Sequence, residues 1–93
     1  MDREKRSAIQ TQYTERMVDY LPTLRSAAKV TQNQLAKKIG VARSTMVAID
    51  SKNRKLQWYL YLAMVLVFIQ NEDSKKLLQS FELFDGEFLQ QII

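Results

Sequence analysis

From Trp58 to Ile69 the chain runs through twelve consecutive apolar or aromatic residues, WYLYLAMVLVFI, with no charge, glycine or proline among them. The run is too short to span a bilayer, which takes about 20 apolar residues in helical form, so a membrane role is not expected. Bounded by polar turns, the segment from Leu56 to Ile69 reads as a buried helix. A helix that is apolar on all sides must be covered on all sides. In a domain this small one face can meet the rest of the core, and another needs a lid. Two segments could supply it, the C-terminal part of this chain or a second copy of the protein.

The stretch that would organise the core lies just before, from Thr31 to Asp50, TQNQLAKKIGVARSTMVAID. Thr31 with Gln34 three residues later makes a capping box and starts a helix. Leu35, Ala36 and Ile39 supply its apolar stripe, with Lys37 and Lys38 facing out. Gly40 can take the left-handed conformation that closes a helix C-terminus, so the chain can turn sharply and restart. The second helix, about residues 42–50, sorts into two arcs at about 100° per residue. Ala42, Thr45, Met46 and Ile49 form a packing arc; Arg43, Ser44, Val47 and Ala48 form an outward one. That outward arc lacks the Lys/Glu mixture of a merely solvated helix. An arginine, a hydroxyl and two small apolar groups suit base edges in a DNA major groove.

The segment from Leu24 to about Ile69 resembles the phage-repressor or Xre-like helix-turn-helix family of DNA-binding domains. Gln32, Leu35, Ala36, Ile39, Gly40, Val41, Arg43, Ser44, Thr45, Met46, Ile49 and Asp50 stand where the family pattern wants their type. The resemblance implies an all-α, compact five-helix repressor-like domain, here with an extra N-terminal helix and a C-terminal helical tail. It also implies a sequence-specific transcriptional regulator with double-stranded DNA as its partner. Arg43, Ser44, Val47 and Ala48 would then meet base edges, while Gln32, Thr45, Lys52, Asn53, Arg54 and Lys55 would hold the DNA backbone. In one respect the chain departs from the pattern, which usually places glycine two residues after the acid where this sequence has Lys52. A lysine held at positive φ costs on the order of 1 kcal/mol relative to glycine, so Asn53 is expected to take that turn instead.

Charge distribution supports a phosphate-facing middle. Net charge is +4; residues 1–30 carry six basic and four acidic groups, residues 31–55 six and one, residues 56–93 two and five. A basic centre with an acidic rear is the footprint of a surface that meets phosphates. The chain has neither cysteine nor histidine and only two glycines. Disulfides and thiolate metal sites are thereby excluded, and so are the usual general base and the phosphate-cradling glycine loop. No catalytic residue, cofactor or metal site is expected, and the cysteine-free, leaderless composition fits a cytoplasmic protein.

The whole chain reads as one domain in three parts. Residues 1–21 form a helical extension with Ile9, Tyr13, Met17, Tyr20 and Leu24 at helical spacing; Arg3, Lys5 and Arg6 could form a minor-groove arm. Pro22 is expected to break that helix and restart it, because its ring clashes with the preceding turn anywhere but in a first turn. Residues 22–70 are the core. In residues 71–93, Asn71 caps a helix whose buried stripe is Leu77, Leu78, Phe81 and Phe84, ended by Asp85 and Gly86. The tail residues Phe88, Leu89, Ile92 and Ile93 are expected to dock on the same chain or on a dimer mate, so a homodimer through the C-terminal helices or tail is the favoured assembly. The same apolar C-terminal part motivates the alternative reading, a protein-interaction module such as an antitoxin or adaptor.

Overall fold

The computed structural model describes residues 3–92, without the side chains of Leu89, Gln91 and Ile92. Among the described residues there are six helices and no strand: α1 (Arg3–Ala28), α2 (Gln32–Ile39), α3 (Arg43–Asp50), α4 (Trp58–Phe68), α5 (Glu72–Ser80) and α6 (Gly86–Ile92). The all-α expectation holds.

The longest element corrects the expected break at Pro22. α1 is a single 26-residue helix with Pro22 inside it, so the N-terminal extension and the first core helix are one rod. A proline in a helix interior costs about 3 kcal/mol. Met17, Leu21 and Leu24, all fully buried on either side of it, contribute roughly 5–9 kcal/mol by their removal from water. Pro22 itself is exposed. Packing of α1 from Tyr13 to Leu24, against α4 and α5, outweighs the local cost.

α2 begins as its sequence requires. The Thr31 hydroxyl accepts from the Gln34 backbone N–H at 3.0 Å, and the Gln34 side chain accepts from the Thr31 N–H at 2.9 Å. Gly40 closes it at φ 78°, its N–H on the Lys37 carbonyl and the Val41 N–H on that of Ala36. The same paired closure ends α1 at Lys29, α3 at Lys52 and α5 at Glu82, all at positive φ without being glycine. Lys52, not Asn53, therefore takes the turn after Asp50, which corrects the expectation there. The turn is fixed by the Lys52 N–H on the Ile49 carbonyl and the Asn53 and Arg54 N–H groups on that of Ala48. These bonds offset the strain of a lysine in that conformation.

α4 lies centrally, against α1, α2 and α5. Leu60, Tyr61, Met64, Val65 and Phe68 are buried, and the lid over Tyr61 and Trp58 is the C-terminal segment of the same chain. Phe88 is 1% exposed and meets Tyr13, Tyr61, Trp58 and Phe84 at centroid distances of 5.2, 5.6, 6.0 and 5.8 Å. Coverage is incomplete: Tyr59 and Leu66 remain 68% and 61% exposed. Of the other tail residues expected to dock, the side chains of Leu89 and Ile92, and Ile93 altogether, lie outside the described residues.

Asn71 caps α5 as expected, accepting from the Asp73 and Ser74 N–H groups at 2.9 and 3.1 Å. The helix stops at Ser80, however, short of the expected Asp85–Gly86 end. Asp85 opens α6 instead, its carboxylate accepting from the Phe88 N–H at 2.8 Å. The early stop lets Leu83 turn inward to full burial, which a continued helix would not allow. Among the described residues no helix is long and apolar enough to cross a membrane.

Candidate nucleic-acid interface

α2 and α3 pack against each other and hold the outward side of α3 in a fixed orientation. Met46 and Ile49 are fully buried and Thr45 is half-buried, so these three members of the packing arc face inward as the spacing predicts. Ala42 departs from that arc; it is the exposed residue that precedes the helix and offers no side-chain cap. On the other side Arg43 and Ser44 are exposed, Val47 is 44% exposed and Ala48 is half-buried. The four residues assigned to base edges thus share one helical face. Among the described residues, the side chains of Arg43 and Ser44 make no hydrogen bond or ion pair.

The residues assigned to the DNA backbone are less uniform. Gln32, the first residue of α2, is half-buried, and its Nε2 donates to Asp50 Oδ2 at 2.6 Å. Lys52 Nζ donates to Asp19 Oδ1 of α1 at 2.7 Å, in a pair exposed to solvent on both sides. That hydrogen bond, and then the charge of Asp19, raise the Lys52 pKa above the usual lysine value. Arg54 and Lys55 line, with Lys52, Glu15 and Asp19, a shallow groove between the loop and α1. The loop cations therefore stand beside the end of α3, on the side that faces α1.

One acidic side chain lies in residues 31–55, and the fold removes it from the surface. Asp50 is 13% exposed and pairs with Arg25 of α1 at 3.3 Å as well as with Gln32. All six remaining charges of the segment, Lys37, Lys38, Arg43, Lys52, Arg54 and Lys55, are exposed and positive. Arg25 was not legible as a site residue, because only tertiary packing brings it from α1 to the end of α3. Arg3, Lys5 and Arg6, considered above as a minor-groove arm, form the start of α1. At 1.5 Å per residue Arg6 lies roughly 28 Å along α1 from Arg25, the residue of α1 that reaches the end of α3.

Among the described residues no group of three His, Cys, Asp or Glu side chains lies together as a metal ion would require. No family model, curated protein or solved structure matches this chain.

Proposed function

We propose that the protein is a sequence-specific DNA-binding regulator that reads the major groove with the outward face of α3, on a scaffold resembling the phage-repressor or Xre-like family. The carrying observation is that face: Arg43, Ser44 and Val47 exposed together on one side of a helix whose other side is buried. Arginine pairs with guanine, a hydroxyl adapts to either base type, and small apolar groups touch a thymine methyl. The surrounding segment, whose exposed charges are all positive, supplies the phosphate attraction that any duplex binder needs. Gln32, Thr45, Asn53, Arg54, Lys55 and, once released from Asp19, Lys52 are the backbone donors. In this reading the protein acts in the cytoplasm, without enzymatic activity, as a homodimer that places two α3 helices one helical turn apart.

In vitro selection of bound duplexes from a random pool tests the proposal. Enrichment of a defined motif supports it, and a palindromic motif supports the homodimer as well. Recovery of random sequence only, or no retention at low salt, overturns it.

A second reading, a protein-interaction module such as an antitoxin or adaptor, is favoured by the uncovered face of α4. Tyr59 and Leu66 stand exposed two turns apart on a helix without charge, an arrangement that suits a partner helix. An antitoxin would combine both roles, so selection for DNA and binding of a protein partner are compatible outcomes.

A further inference from the structure

Asp50 holds its two neighbours unevenly. Its Oδ2 atom accepts both from Gln32 Nε2, at 2.6 Å, and from Arg25 Nη2, at 3.3 Å. Its Oδ1 atom and the Arg25 Nε are both buried and have no hydrogen-bond partner. Arginine and carboxylate pair best through two parallel bonds, Nε and one Nη each on its own oxygen. Here both donors fall on one oxygen, Gln32 at the shorter distance, and the Nε–Oδ1 bond of the parallel pair is missing.

We infer that Gln32 and Arg25 compete for Asp50, so that the Gln32 amide leaves Asp50 when duplex DNA docks and Arg25 closes on the carboxylate with two bonds in its place. The inference rests on the DNA-binding reading above for its ligand, but the competition itself is a property of this chain alone. Leaving two buried polar groups unpaired is unfavourable, and satisfying both at once offsets the loss of the Gln32 bond. The amide of Gln32 is thereby freed for a phosphate at little net cost. Arg25 is a positioning residue in this exchange. It touches no DNA, yet it keeps Asp50 neutralised and the end of α3 fixed to α1 whichever way Gln32 points.

The test follows the Nε–Hε resonance of Arg25 in the nitrogen-labelled full chain, identified by its loss in Arg25→Lys. In Gln32→Ala without DNA, the Arg25 Hε is expected to move downfield and its exchange with solvent to slow on the order of tenfold, the effect of one added hydrogen bond. Titration of the unaltered protein with a mixed-sequence duplex at low salt is expected to give the same change, together with a shift of the Gln32 side-chain amide. An Arg25 signal unmoved in Gln32→Ala overturns the competition. A bound duplex that leaves both signals in place overturns the exchange on DNA. Failure to form any complex overturns the DNA-binding reading itself; it is distinguishable because Gln32→Ala judges the competition without DNA.

Discussion

The Tyr61 hydroxyl donates a hydrogen bond to the backbone carbonyl of Leu83, joining α4 to the turn before α6 inside the core. Both residues are fully buried. The bond is made just beyond the closure of α5, where the chain has turned at Glu82. Tyr61→Phe leaves that carbonyl unpaired and is expected to cost about 1–3 kcal/mol, read as a lower urea midpoint with an unchanged slope.

The same phenol predicts an alkaline limit. Burial first, and then the neighbouring Tyr13 and Asp85, push the Tyr61 pKa well above the usual tyrosine range. A group whose folded pKa is raised contributes stability that is intact below its unfolded pKa, near 10, and is lost as pH rises beyond it. Stability should therefore fall above pH 10, with Tyr61 contributing about 1.4 kcal/mol per pH unit. Tyr61→Phe removes that contribution, so its deficit relative to the unaltered protein should shrink between pH 10 and 11. A constant deficit across that range would contradict the assignment.

Three of the four left-handed helix closures use a lysine or a glutamate. A non-glycine residue costs roughly 1–2 kcal/mol there, part of which glycine returns through its greater freedom in the unfolded chain. Lys29→Gly and Glu82→Gly are each expected to stabilise by about 0.5–1 kcal/mol, raising the melting temperature by a few degrees. Gly40→Ala should do the opposite by about 1 kcal/mol. An added Cβ there meets no atom within 4 Å, so the loss would come from conformation alone.

Asp19 and Lys52 form an exposed ion pair, a type worth little to stability. Asp19→Asn should shift the urea midpoint by an amount equivalent to under about 0.5 kcal/mol. If Lys52 serves DNA phosphates, releasing it should tighten duplex binding and increase the salt dependence by about one counterion. Glu15→Gln removes an equal charge from the same groove without touching that pair. An equal gain in Glu15→Gln, or an undiminished gain from Asp19→Asn in a Lys52→Ala background, would remove Lys52 from the contact set.

Arg43 and Lys55 separate base reading from phosphate attraction. Arg43→Ala is expected to cost about 1–3 kcal/mol on the selected duplex and to relax preference at one base pair. Lys55→Ala should weaken all duplexes alike and flatten the salt slope by about one. Equal losses for Arg43→Ala on selected and random duplexes would defeat its assignment to a base.

Features whose energy lies within one turn of helix were legible in the sequence. Thr31 with Gln34, Gly40, the Asn71 cap and, Ala42 apart, the two arcs of α3 depend on hydrogen bonds and side-chain directions among near neighbours in the chain, so local chemistry sufficed. Pro22, Lys52 and Asp85 behaved otherwise. The burial of Met17, Leu21 and Leu24 carried α1 through its proline. The paired closure after Ile49 put Lys52 in a conformation that its side chain disfavours. The inward turn of Leu83 ended α5 early and left Asp85 to begin α6. In each case contacts or bonds formed by the folded chain outweighed a local preference of about 1–3 kcal/mol. The sharing of Asp50 between Arg25 and Gln32 likewise came only from the docking of three helices, because nothing local connects residues so far apart in the chain.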